Sequence, residues 1–162
     1  MQQLLKRIVP WMFFLLPVTV AAQDNSLHLA ALGGDLNQVQ ALVDAGVDVN
    51  GTMTRGWTPL IVAAKGGHVD IMKLLLTKGA RINQADEEGN TPLMIAVVSG
   101  KIDAIRFLVS NRANTVVKNK KGLDALGIAR FSRFTEAVRL LEPSSRRSGT
   151  ASGDPGSGDG DR

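Results

Sequence analysis

A chain of 162 residues with no cysteine can build neither a disulfide framework nor a thiolate metal site, and it has no thiol nucleophile. It has no tyrosine and only two histidines, so it is also poor in the side chains that perform acid–base chemistry. A formal net charge of +4 and a pI near 9.8 invite an anionic partner such as nucleic acid, but the charge is unevenly placed and no nucleic-acid motif accompanies it.

The first 22 residues form a unit of their own. Lys6 and Arg7 lie in a short stretch without acids. Residues 8–22 then carry no charge and centre on Trp11-Met12-Phe13-Phe14-Leu15-Leu16. Val20 and Ala22 supply small residues at the two sites a signal peptidase reads. The pattern predicts a secretory signal peptide over 1–22, cut between Ala22 and Gln23. As an uncleaved anchor the apolar run is shorter than the about 20 residues that span a bilayer, and Pro10 and Pro17 weaken it further. A lipid anchor would need a cysteine at the cut. Removal of Lys6 and Arg7 takes the net charge from +4 to +2 (4 − 2). The expected location is the periplasm, with secretion as the alternative, and the membrane is met only during export.

The body of the chain repeats. Gly56-Trp57-Thr58-Pro59-Leu60 returns 33 residues later as Gly89-Asn90-Thr91-Pro92-Leu93. The step extends to Leu27, Leu60, Leu93 and Leu126, and to Ala30, Ala63, Ala96 and Ala129. Gly34, Gly67 and Gly100 keep it until Arg133 intervenes, and Leu42, Leu75, Leu108 and Leu141 hold it to the end. A fixed period of this length marks stacked supersecondary units. The units are placed at 25–53, 54–86, 87–119 and 120–142, within a domain over 23–142.

Each unit reads as two helices. Asn25, Thr58, Thr91 and Asp124 stand where a side chain accepts from the first helical turn, and Pro59 and Pro92 take the first helical position, where a missing N–H costs nothing. Gly66-Gly67 ends the first helix of its unit. A second helix is expected from near Leu36, Val69, Ile102 and Thr135, with Val39, Met72, Ile105 and Val138 on its buried face. Gly46 and Gly79 suit a left-handed helix end; Arg112 in the same column should strain or loosen it.

The stretch 56–68 carries Gly-x-Thr-Pro-Leu-x-x-Ala-Ala-x-x-Gly-His, and 75–83 reads Leu-Leu-x-x-Gly-Ala-x-Ile-Asn. These residues resemble the ankyrin repeat. The resemblance implies an all-α solenoid of four helix-turn-helix repeats, with β-turn fingers near 50–56, 83–89 and 116–122. It implies structural roles for His28 and His68, which would hydrogen-bond to backbone near the loops. The first and fourth repeats depart from the pattern as caps do: Asp124-Ala125 replaces Thr-Pro, and Arg133-Phe134 replaces Gly-His.

Residues 143–162 are rich in Ser, Gly and Asp, with hardly an apolar side chain after Pro143. Such a composition is expected to form a disordered tail.

Glu87-Glu88 falls on a finger without a partner acid, and the Gly-Gly pairs lack the Lys-Ser or Lys-Thr of a phosphate loop. No catalytic residue, metal site or cofactor is expected. The resemblance instead implies binding of another protein by a monomer, through finger tips and inner helices on one concave face. By column these are Thr54, Arg55, Trp57 and Lys65; Glu87, Glu88, Asn90 and Val98; and Lys120, Lys121, Leu123 and Phe131. Trp57 beside Arg55 joins two residue types enriched at binding hot spots, or else it packs between fingers. The first repeat and its approach hold Asp24, Asp35, Asp44 and Asp48 with no Lys or Arg, whereas the last is basic, and such a gradient can orient a charged partner.

The expected role is a protein–protein interaction module of the periplasm, an accessory or chaperone-like partner whose client the repeat does not specify. A secreted effector or inhibitor and a membrane-tethered envelope scaffold are the alternatives. Mass spectrometry of protein purified from cells is expected to find a chain beginning at Gln23; a chain that keeps residues 1–22 would mark the tether instead.

Overall fold

The computed structural model describes residues 25–142. The export segment 1–22, its cleavage site at Ala22 and Gln23, and the tail 143–162 lie outside the described residues. Within them the chain is all-α, built from four helical hairpins: α1 (Ser26–Gly33) with α2 (Leu36–Asp44), α3 (Pro59–Gly66) with α4 (Val69–Thr77), α5 (Pro92–Val98) with α6 (Ile102–Ser110), and α7 (Ala125–Phe131) with α8 (Thr135–Leu141). The second helices begin at the four positions expected from the period.

The hairpins stack in register. The first helices α1, α3, α5 and α7 form an inner layer in which each packs on the next, and the second helices form a thinner outer layer. Composition explains the difference. The inner helices are short and place Ala30, Ala63, Ala96 and Ala129 against their neighbours, all buried, so the backbones approach closely. In α3 every residue from Pro59 to Ala64 is buried, as expected of a helix that is apolar all round. The outer helices are amphipathic: α4 buries Ile71, Met72 and Leu75, and α6 buries Ala104, Ile105 and Leu108. Among their equivalents in the end repeats Val39, Ala137 and Leu141 are buried, whereas Leu42 and Val138 are only half-buried, in units that each lack one neighbour.

The helix starts follow local chemistry. Thr58 Oγ1 accepts from the Ile61 amide at 3.2 Å, Thr91 Oγ1 from Met94 at 3.4 Å, and Asp124 Oδ1 from Gly127 at 2.7 Å. Asn25 does not follow them: its side chain makes no capping bond. Asp35 caps α2 instead, accepting from the Gln38 amide at 2.9 Å.

Two devices join successive repeats at their edges. The Asn50 side chain accepts from the Arg81 amide at 2.8 Å, and Asn83 does the same for Asn114 at 2.8 Å. Val116, next in that column, offers no such group and is exposed. At the fingers, Glu87 N donates to Arg55 O at 3.0 Å and Lys120 N donates to Glu88 O at 2.9 Å, so backbone bonds zip the fingers side by side.

The outer helices α2, α4 and α6 close in the same way. In α4, Gly79 N donates to Leu76 O and Ala80 N to Leu75 O, at 3.1 and 2.9 Å, the paired bonds of a Schellman turn. In α6, Arg112 N donates to Val109 O and Ala113 N to Leu108 O, at 3.1 and 2.9 Å. Arg112 therefore adopts φ 62, where Gly46 and Gly79 sit at 87 and 92. The turn is kept and the strain is carried, so Arg112 does not loosen the helix end. A left-handed non-glycine residue costs about 1–2 kcal/mol, and glycine's greater freedom in the unfolded chain offsets about 0.5–1 kcal/mol of that. Arg112→Gly is expected to raise stability by about 0.5–1 kcal/mol, read as a higher urea midpoint with an unchanged slope.

Candidate protein-binding groove

The fingers differ in how they are held. Asp86 Oδ1 accepts from the amides of Glu88 and Asn90 at 2.9 and 2.7 Å. Asn119 Oδ1 does the same for Lys121 and Leu123 at 3.0 and 3.1 Å. These side-chain acceptors fix the second and third finger turns. The first finger has Met53 in that column and therefore no acceptor. It keeps only the backbone closure common to all three fingers, here the Met53 N to Trp57 O bond of 2.9 Å, and Arg55 sits at φ 69.

Between the second and third fingers and the inner helices lies an open groove of about 860 Å³. Its floor is apolar: Ile95 and Val98 on α5, Ile128 and Phe131 on α7, and Leu123 at the base of the third finger. Ile95 and Ile128 are buried, whereas Val98 is 64% and Phe131 86% exposed. Arg55, Glu87, Glu88, Asn90, Asn119 and Lys121 form the finger side, and Ser132 closes the far end of α7.

Of the residues singled out in the sequence, this groove brings together Arg55, Glu87, Glu88, Asn90, Val98, Lys121, Leu123 and Phe131; Thr54, Trp57, Lys65 and Lys120 are not part of its wall. Trp57 is half-buried against the core, and the Lys65 ammonium lies 4.8 Å from its ring centroid. That cation–π contact occupies the indole face at the first step of the columns that continue as Asn90 with Val98 and Leu123 with Phe131. Four wall residues escaped the column reading. Ile95 and Ile128 lie one helical turn before Val98 and Phe131, a three-residue spacing that places them on the same face. Asn119 was legible as the counterpart of Asp86, and Ser132 simply follows Phe131.

A family model for ankyrin repeats in three copies matches residues 27–119. The chain belongs to the ankyrin-repeat family. Ankyrin repeats are protein–protein interaction modules, and that is the function the match supports. No curated protein matches the chain. In this ankyrin-repeat protein the fourth unit lies beyond the matched residues, yet α7 and α8 stack on α5 and α6 as the earlier units stack on one another.

The two histidines of the ankyrin pattern tie backbone segments together. His28 Nε2 bonds Gly51 O at 3.1 Å, linking the first inner helix to the approach of the first finger. His68 Nε2 bonds Leu32 O at 3.1 Å across the first two repeats. The His68 ring fits there because Gly34 and Gly66 have no side chain; a Cβ on either would run into it. Ion pairs contribute less. Lys78 and Asp44 meet at 2.9 Å between α4 and α2, and their hydrogen bond, with that from Gln40, holds the Asp44 carboxyl below its usual pKa. Both partners are exposed, and such pairs add little to stability.

His28 is buried, and that burial pulls its pKa below the usual 6.5, against the backbone of Gly51 and Trp57, which pull the other way. Its neutral form is therefore favoured on folding. Below pH 6.5 the unfolded chain takes up a proton that the folded chain resists, so stability falls as the pH drops through that window. It levels off below the folded pKa. Urea midpoints at pH 7 and pH 5 are expected to differ more for the wild type than for His28→Gln, which should itself lose about 1 kcal/mol at pH 7.

Proposed function

We propose that this ankyrin-repeat protein is an exported binding module that holds a segment of another protein in the groove of its third and fourth repeats. It acts as an accessory or chaperone-like partner in the periplasm. One observation carries the reading: the Phe131 ring stands 86% exposed beside Val98 at 64%, above the buried Ile95 and Ile128. Exposed apolar side chains grouped in a concavity with a polar rim are the usual mark of an interaction site.

The location rests on the basic start, apolar centre and small-residue cut of residues 1–22. The chemistry offered by the groove is recognition. It has an apolar floor, amide groups on Asn90 and Asn119 that hydrogen-bond each other at 2.9 Å, and charges at the finger tips. Both histidines are engaged with backbone, away from the groove.

The test is crosslinked capture from the periplasm with the mature protein and with Val98→Ser and Phe131→Ser. Both side chains point outward, so folding should change by no more than about 0.5 kcal/mol, and circular dichroism should be unaltered. A central aromatic anchor is worth about 2 kcal/mol or more, so Phe131→Ser is expected to weaken capture of the main partner about 30-fold. Full capture by both variants would show that the partner binds elsewhere.

A further inference from the structure

The finger tips carry charge in an ordered row. The first finger presents Arg55, the second Glu87 and Glu88, the third Lys120 and Lys121. Along the tips the signs run plus, minus-minus, plus-plus. The order is continuous because the fingers are zipped: Glu87 N bonds Arg55 O, and Lys120 N bonds Glu88 O. Among the described residues none of these five side chains enters an ion pair; the pairs present are Lys78–Asp44, Arg106–Glu136 and Arg130–Glu142. All five are exposed, and Arg55, Glu87, Glu88 and Lys121 line the finger side of the groove.

The spacing is set by the backbone. Each finger contributes two chain segments to the zipped row, and adjacent segments lie about 4.8 Å apart, so equivalent tips recur about every 10 Å. A peptide in the polyproline II conformation advances about 3.1 Å per residue with about three residues per turn, so every third side chain faces the same way. Three of its residues therefore cover one finger step. A ligand lying across the fingers meets a change of sign at every third residue.

We propose that the groove selects a protein segment in the polyproline II conformation whose charges alternate acid, base, acid at every third residue, with apolar residues between them. The acids face Lys120–Lys121 and Arg55, the base faces Glu87–Glu88, and the intervening apolar side chains rest on Val98 and Phe131. This rests on the groove being the binding surface. It adds that the finger charges set the register, since like charges in the wrong register repel and exclude other segments. The row reads the same from either end of such a segment, so charge fixes position and not chain direction.

The probes are two end-blocked fluorescent peptides with the cores Asp-Leu-Val-Lys-Leu-Val-Asp and Lys-Leu-Val-Asp-Leu-Val-Lys, titrated by anisotropy against the full mature chain. The first is expected to bind at least tenfold more tightly at low salt, with the ratio shrinking at 0.5 M salt as screening demands. A fourfold variant, Glu87→Lys, Glu88→Lys, Lys120→Glu and Lys121→Glu, keeps the protein's net charge unchanged and is expected to invert the preference. A preference that survives the exchange would come from net charge and would overturn the register. Equal binding of both peptides, lost in Phe131→Ser, would overturn the register and leave the groove standing. Binding of neither peptide, or binding indifferent to both the exchange and Phe131→Ser, would overturn both. A concentration-dependent rise in mass without peptide, lost in Phe131→Ser, would name a second copy of the chain as occupant and overturn the proposal.

Discussion

The closeness of the inner helices governs the rest of the molecule. α1, α3, α5 and α7 can stack as they do because an alanine occupies the same place in each, at 30, 63, 96 and 129, and all four are buried. A longer side chain in that column would force neighbouring backbones apart. Close stacking fixes the step between units, and that step lets Asn50 and Asn83 reach the next unit's amides and lets the fingers bond edge to edge. Stability of this kind is a sum of nearest-neighbour interfaces and not of one central core. Loss of any interface therefore divides the array instead of merely softening it.

The groove follows from the same step. Fingers that are zipped by backbone cannot splay, and the helices beneath them cannot rise, so the concavity is preformed. Side chains then decide what it offers. At the first step Trp57 and Lys65 satisfy each other. At the next step Asn90 is held by Asp86 and Asn119 while Val98 stays exposed, and at the last Leu123 is joined by the exposed Phe131. The surface thus grades from self-contained to exposed along the repeat, and its chemistry is concentrated in the unit that departs most from the pattern.

Much of this was legible in the sequence because the period makes every residue an argument about its counterparts. Helix starts at 36, 69, 102 and 135 needed only the columns, and the left-handed turn at Arg112 followed from glycines at 46 and 79. Asn25 misled because its backbone, at φ −72 and ψ 9, does not take the extended conformation of Thr58, Thr91 and Asp124, which residue type alone does not specify; Asp35, which does cap, carries no column signal. Column logic also grouped Trp57 with Arg55 and Lys65 on one face but could not reveal that Lys65 folds back over its ring. The floor residues Ile95 and Ile128 read as core, and they are core; only the depth of the concavity makes them a wall as well.

Val116 interrupts a column that the first two units share. Asn50 and Asn83 each seat the unit that follows them, and the column then ends in a side chain with nothing to donate or accept. The side-chain tie that joins the first three units therefore does not reach the fourth. A unit inserted between the second and third repeats would inherit a seat on one side and supply one on the other, whereas the fourth repeat is held without this tie. Growth of the solenoid in evolution or by design is thus directed to its interior, and the terminal unit, loosest at that edge, is the one freest to diverge.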